Sequence, residues 1–537
     1  MWFGMNVSPY TIEQLIDMCK VFGLFFQPSF GPQGLDKLIY DDFNNHLLIT
    51  NDGAAILQDL DELLEPRYTK IIIKWGKTLA AETGDGIKLF YILLGEILAA
   101  SDNLKKEGIC NAHIIDGIRI LAQLWDEFRA QPDFQLPNKV ISPEFLRIYL
   151  NSVISGKLSP ANTTYLVELT VQIIKKLGNL IFSVGFDFTK SCEFLLVPGG
   201  TLQESRLLNG IAVNKEPSFG PMIPVEGIIP ARILFITQKL YFDPPKDGDR
   251  QNRLSLEINL QNPEDRNKFH SELQNQIRNW ADAILKVHPD IVVTEKGVDD
   301  HLEQILITNH IALVRRVKPE QFHLLCRYFN IDPIERVEEI TFQSVVTLSR
   351  VTFEKVGRDH VLLFEADTSV GNSSNCVGTV LIGGATWYIC QEIERFIKKI
   401  LKTGIELNQS CRYYYGGGNV ELQFAEMIKN RANAYDKSVA HVLSSFADCY
   451  ITIPRLLISN GGQDPIEGIT RLRNLYYQGQ KDIGFNATTR EITSMTGAKI
   501  FDNYYCKNRI YKTLFEISEE MTRIDKVLTY KKKIHPE

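Results

Sequence analysis

The hydropathy pattern changes period twice along the chain, and that change limits the topology more than any single motif does. Near the N-terminus Ile12, Leu15, Ile16, Cys19 and Phe22 recur at three- to four-residue spacing, the signature of a helix with one buried face. The spacing predicts helices over about 8–29 (opened by Ser8-Pro9), 54–60, 68–82, 87–100 and 112–129. It predicts them again over about 386–403, 418–433, 435–448, 463–478 and 507–528. The middle is different. Ile233–Ile236, Ile291–Thr294 and Ile311–Val314 are short apolar runs of buried-strand type. A charged helix is expected between the first two, over about 263–287, and Ser344–Arg350 and Val361–Glu365 are expected to form a sheet with one wet face. An α/β domain inserted into a mostly helical one follows, so the two helical ends must meet in space. At roughly 150 residues per domain, 537 residues fit three or four domains.

Glycine and aspartate cluster in four short motifs. Phe30-Gly31-Pro32-Gln33-Gly34-Leu35-Asp36-Lys37, Thr50-Asn51-Asp52-Gly53 and Gly84-Asp85-Gly86 fall within the first 90 residues, and Gly416-Gly417-Gly418 lies far away. Glycine lets the backbone approach a ligand and take positive φ. Amides at a helix start cradle phosphate, and a neighbouring carboxylate can hold Mg²⁺, which takes one or two carboxylates plus phosphate oxygens. Gly84-Asp85-Gly86, opening the helix at Ile87, combines all three features. Read one at a time, such motifs are ordinary turns. The pattern is not a P-loop, since no G-x-x-x-x-G-K-[ST] occurs. It is not a Rossmann fingerprint, because no G-x-G-x-x-G follows a strand, and no G-x-S-x-G points to a hydrolase.

Other classes are disfavoured by charge and residue usage. Lys plus Arg is 59 against 65 Asp plus Glu, a net charge of −6, which leaves no basic footprint for nucleic acid or for a membrane surface. No uninterrupted apolar run reaches the ~18 residues of a spanning helix, and Met1-Trp2-Phe3-Gly4 has no basic n-region of a secretory signal. The nine cysteines form no C-x-x-C pair and are expected to be free thiols in a reducing compartment. Asp243–Asp249 is expected to be a polar loop, and Lys531-Lys532-Lys533 a solvated tail.

The order and spacing of the four motifs resemble the group II chaperonins, the archaeal thermosome and the eukaryotic cytosolic chaperonin CCT/TRiC. Gly31–Leu38, Thr50–Leu57, Gly84–Ile87 and Gly416–Glu421 stand where that family reads GP-x-G-x-x-K-M, TNDGATIL, GDGT and GGGA-x-E. Ser205–Gly210 looks like the entry to its apical domain, and Asp502, Lys507, Lys512 and Arg523-Ile524-Asp525 keep the spacing of its last helix. Gln478–Phe485 looks like the matching stretch of theta-type subunits. The resemblance implies a multidomain α plus α/β chaperonin fold. A helical equatorial ATP-binding domain would span 1–130 and 404–537, a small intermediate hinge domain 131–207 and 368–403, and an inserted α/β apical substrate-binding domain 208–367. Gly383-Gly384 would lie near the hinge, although a plain strand-to-helix turn reads equally well.

Carried over residue by residue, the resemblance implies that Phe30 and Gly31 contact ATP through their backbones, that Gly86 and Ile87 present amides to phosphate, and that Gly417 approaches from the other half of the domain. Asp85 would hold Mg²⁺, Asp52 would position the metal or attacking water, and Asp502 would accept ribose hydroxyls beside Lys507. Without the resemblance, Asp502 reads as a helix cap and Lys507 as a solvated charge. Three positions depart from the family: Ile87 replaces a hydroxyl-bearing threonine, Lys88 a threonine or asparagine, and Lys399 the catalytic aspartate that follows the Glu394-Arg395 pair. A lysine cannot serve as the carboxylate base, a loss worth about 10²–10⁴-fold in rate. Glu392 and Glu394 on the same helix are not obvious substitutes. The implied function is a subunit of a cytoplasmic double-ring chaperonin, impaired in hydrolysis, with paralogous subunits and non-native client proteins as partners and no nucleic acid or membrane. The alternative is a chaperonin-like assembly scaffold without ATPase activity.

Overall fold

The computed structural model describes residues 12–41, 46–63, 69–134, 141–154, 160–182, 186–215, 218, 223, 227–241, 263–356, 359–365 and 378–525. They divide into two compact units, Met1–Val171 with Lys399–Glu537, and Gln172–Lys398. The Ser8-Pro9 cap, the Asp243–Asp249 segment and the lysine tail lie outside the described residues.

The first unit opens with α1 (Ile12–Phe26), which buries Leu15, Ile16, Cys19, Phe22 and Phe26 along one face as the spacing predicts. The hairpin β1 (Lys37–Asp41) and β2 (His46–Thr50) pairs Lys37 opposite Thr50. The helices α2 (Gly53–Leu63), α3 (Thr69–Thr83), α4 (Ile87–Lys106), α5 (Asn111–Arg129) and α6 (Pro143–Ile154) follow, then α7 (Pro160–Leu177). Every residue of α4 from Leu89 to Leu94 is buried, so this stretch is apolar all round and lies within the core of the unit. The helix runs past its predicted stop near 100 because Ser101 and Leu104 are also enclosed; Ser101 satisfies its hydroxyl on the Ile97 carbonyl at 2.8 Å.

The second unit contains β3 (Cys192–Pro198), β4 (Arg206–Leu207), β5 (Gly210–Val213), β6 (Ala231–Ile236), α8 (Pro263–Lys286), β7 (Ile291–Thr294), α9 (Asp300–Thr308), β8 (Ala312–Val314), α10 (Pro319–Phe329), β9 (Val346–Leu348), β10 (Arg350–Val356), β11 (Asp359–Glu365) and β12 (Gly378–Gly384). The three predicted apolar runs are β6, β7 and β8, parallel neighbours in a sheet of order β8-β7-β6-β9. Parallel pairing needs crossover connections, which α8 and α9 supply. One sheet face packs Leu234, Ile236 and Val292 with Trp280 and Ile284 of α8; the other packs Phe235, Ile291 and Val293 with Phe322 and Leu325 of α10. The wet face expected of the later strands is absent from β11. Its Leu362 and Phe364 join the same core as Phe322, while Val361 and Leu363, on the opposite face, pack with Leu195, Val197 and Leu381. Gly383 and Gly384 end β12 in parallel register with Val197 and Pro198 of β3.

The chain returns to the first unit along α11 (Trp387–Ser410). Then come β13 (Tyr413–Tyr415), α12 (Asn419–Ala432), α13 (Lys437–Asn460), α14 (Pro465–Tyr477), β14 (Ile483–Asn486), β15 (Glu491–Ser494), α15 (Met495–Ala498), β16 (Phe501–Asn503) and α16 (Tyr504–Arg523). Helix α13 continues well beyond 448 and carries Pro454 inside it. It is the one helix among the described residues long and apolar enough to cross a membrane, and most of its apolar stretch is buried in the core. The early and late segments close on one another through aromatic rings: Trp125 of α5 stacks on Tyr511 of α16 with centroids 3.9 Å apart, and Tyr450 of α13 stacks on Tyr511 at 5.7 Å. Every described cysteine is a free thiol.

Candidate functional site

The first glycine turn is fixed from three directions. Gly31 adopts φ +84°, and a Cβ there would lie 2.6 Å from the Leu457 side chain of α13. Asn460 of α13 donates its amide to the carbonyls of Gln27 and Phe30, both at 2.9 Å, and Asn51 donates to Gly34 O at 3.0 Å. Lys88 does not snorkel away. Its ammonium donates to Ser29 O at 2.6 Å and to the Asn51 side chain, which pins two of the motifs together. Asp52 caps α2, its Oδ2 accepting from Ala55 N at 3.2 Å.

Gly86 takes φ +83° at the start of α4, and a Cβ would meet Ile510 Cδ1 at 2.1 Å. The first internal bond of α4 runs from Phe90 N to Gly86 O at 3.0 Å. The amides of the preceding turn are therefore available to an anion, and the helix dipole favours negative charge there. Across from it, Gly417 has φ +64°, and a Cβ would strike Phe485 O and the Met495 sulfur, each at 2.7 Å. Gly418 (φ +77°) precedes α12 and leaves room for Pro454 of α13, whose Cβ would lie 2.8 Å from an added methyl.

Lys507, expected from its own sequence context to be a solvated charge, is 7% exposed. Its ammonium sits 2.7 Å from Glu421 Oε1 and 2.8 Å from Asp502 Oδ2. Burial alone would lower its pKa, but the two carboxylates outweigh that and raise it. Asp502 is not the helix cap; Asn503 is, accepting from Cys506 N at 3.1 Å. Asp502 keeps 35% of its side chain accessible, but that surface opens into a cavity rather than to bulk solvent. Loss of hydration accordingly pushes its carboxyl up, against the opposing pull of Lys507.

These groups line a single cavity of about 640 Å³. Phe30, Gly31, Asp52, Asp85, Gly86, Ile87, Gly417, Asp502 and Lys507 all stand in its wall. Sequence reasoning missed Ser152 of α6, the Asn486–Thr489 loop, Lys499 and Cys506, which line it too. The loop had a readable turn signal, since Asn486 Oδ1 accepts from Thr488 N at 3.0 Å. Ser152, which exchanges hydrogen bonds with the Phe501 backbone at 2.8 and 2.9 Å, had none.

Helix α11 borders the site with one face. Lys399, 9% exposed, places its ammonium 2.8 Å from Asp85 Oδ1. Lys402 donates to Ala81 O at the end of α3 at 2.9 Å. Glu406, one further turn along, accepts from Asn503 at 2.8 Å, and burial pushes its carboxyl up to about 7. Gly84 (φ +72°) lies against α11, with Lys399 Cγ 4.0 Å from where its Cβ would be. Glu392 and Glu394 are engaged on their own helix by Arg395 and Lys398. A divalent cation fits Asp85 poorly in this arrangement, because an ammonium already holds Oδ1. Among the described residues, no group of three or more His, Cys, Asp or Glu is placed to hold a metal.

A helical unit with a glycine-walled cavity, interrupted by an α/β unit, is the architecture of a chaperonin subunit. Residues 24–532 match the model of the TCP-1/cpn60 chaperonin family, and the chain belongs to that family. It is 26% identical over 509 residues to thermosome subunit beta of Thermoplasma acidophilum, covering 94% of this chain and 89% of that protein. It is 26% identical over 518 residues to thermosome subunit alpha of Archaeoglobus fulgidus, covering 95% and 90%. Both relatives are archaeal thermosome subunits, so the likeness is to group II chaperonins.

Proposed function

We propose that this chain is an ATP-binding subunit of a stacked-ring group II chaperonin that assists the folding of non-native proteins, with hydrolysis impaired. One observation carries the reading: four glycine motifs from both ends of the chain wall one cavity beside the start of α4. Phosphates would lie on the amides of Gly86 and Ile87. Glycines 31 and 417 let the backbone approach the nucleotide, and Asp502, held by Lys507, would accept ribose hydroxyls. Asp85 is the carboxylate a divalent cation would use, and Lys399 competes for it. Asp52, which already caps α2, is the remaining carboxylate near the phosphates and would orient water. We assign 1–130 and 404–537 to the equatorial domain, 131–207 and 368–403 to the intermediate domain and 208–367 to the apical domain. Paralogous subunits would complete the ring in the cytoplasm, and the Gln478–Phe485 stretch favours a theta-type position.

Impaired hydrolysis rests on Lys399, whose ammonium cannot accept a proton from water. Its pairing with Asp85 also favours a second reading, a chaperonin-like scaffold that has lost turnover altogether. Size-exclusion with co-purification separates the two: co-migration with paralogous chaperonin subunits supports the ring, and a lone monomer refutes it. Steady-state ATPase of the assembled ring, wild type beside Lys399→Asp, tests the hydrolysis claim. Restoring a base is expected to raise turnover by about 10²-fold or more; a wild type that already turns over as fast as the variant sinks the claim.

A further inference from the structure

Asp85 presents 38% of its side chain to the cavity while Lys399 holds its Oδ1. We propose that Lys399 is a built-in counter-ion that lets this site take a nucleotide triphosphate without a divalent cation. The inference rests on the nucleotide reading of the cavity and specifies the ionic form of the ligand.

A carboxylate beside a phosphate chain must have its charge offset. A divalent cation does so by bridging the carboxylate to phosphate oxygens. Here an ammonium that belongs to the chain does it. Lys399 is enclosed beside the Gly84 turn, so a cation that took Asp85 would leave a buried lysine without its counter-charge, which is costly. The other carboxylates in the wall are engaged as well: Glu421 and Asp502 by Lys507, and Asp52 by the first turn of α2. The start of α4 faces the cavity, and Lys88 and Lys499 stand in its wall; a metal-free triphosphate, more negative than its magnesium complex, suits these positive features.

Isothermal titration of the full chain with ATP, in EDTA and then in excess Mg²⁺, tests this. Wild type is expected to bind in EDTA at least as tightly as in Mg²⁺. Lys399→Ala uncovers Asp85, so its affinity in EDTA should fall by about tenfold or more, the low end of what one unit charge a few ångströms away is worth at a partly buried site. Mg²⁺ should restore it. Lys399→Arg, which keeps the charge, should retain binding in EDTA. The wild-type comparison needs no variant to fold. ATP binding by wild type that disappears in EDTA and returns with Mg²⁺ overturns metal independence and leaves the nucleotide reading standing. No ATP binding in either buffer removes both.

Discussion

Replacing Lys507 by methionine should cost the first unit more stability than almost any other single change at the site. The substitution keeps the length and most of the volume of the side chain but removes the charge. Glu421 is fully buried, and its Oε1 accepts only from Lys507 at 2.7 Å and Tyr511 at 3.1 Å among the bonds described. Without the ammonium, Glu421 is a buried charge beside Asp502, and removing one partner of such a pair typically costs 3–5 kcal/mol. Asp502 shares the loss, though its accessible third softens it. At about 2 °C per kcal/mol for a large unit, the midpoint of thermal unfolding should fall by roughly 6 °C or more. Scanning fluorimetry or calorimetry of the full chain reads this directly. The double variant Lys507→Met with Glu421→Gln supplies the control, because replacing both partners avoids the stranded charge and should recover a large part of the loss. A drop under about 1 kcal/mol, the range of an exposed pair, would refute the reasoning. So would a double variant no more stable than the single.

Three other outcomes follow from the same geometry. Glu406 has its folded pKa raised from 4.5 to about 7 by burial. Its contribution to stability is fully present below its unfolded pKa near 4.5 and is lost as pH rises through about 7. Glu406→Gln should therefore stabilise the chain at pH 8 by about 1–3 kcal/mol, with the gap closing toward pH 5; thermal midpoints across that range check it, and a gap that does not vary with pH counts against it. Gly417→Ala puts a methyl against backbone atoms of Phe485 at a positive φ and should cost about 2 kcal/mol or more, together with ATP binding, as read by denaturant unfolding and titration. Trp125→Ala removes the ring stacked on Tyr511 and should cost about 3–5 kcal/mol, measured the same way; a loss below 1 kcal/mol would mean the aromatic cluster is not what joins α5 to α16.

Much of this molecule is local physics written into the sequence. The spacing of Leu15, Ile16, Cys19 and Phe22 makes α1 and selects its buried face. The runs at 233–236, 291–294 and 311–314 become three parallel strands because their residues are buried on both faces. The glycine motifs permit the positive φ taken at Gly31, Gly86 and Gly417, a freedom of the glycine backbone that is legible without knowing the neighbours. Two local readings failed for identifiable reasons. Val361–Phe364 is a continuous apolar run, but whether its second face is wet depends on what packs there, and Leu195, Val197 and Leu381 come from other strands. The helix expected over about 435–448 runs on to Asn460 as α13, and packs the Pro454 inside it against Gly418.

Tertiary structure alone decided the charges. Lys507 reads as a solvated charge from its own sequence context, because helical periodicity tells which residues share a face and not what that face meets; for the same reason nothing local names a partner for Lys399. The fold brings α16 against α12, so Lys507 reaches Glu421 and Asp502. It brings α11 to the Gly84 turn, so Lys399 reaches Asp85. The sequence by itself determined that four glycine turns could approach a ligand. Only the packing determined that Lys399 ends on Asp85, because a long-range ion pair depends on how two distant segments are set against each other.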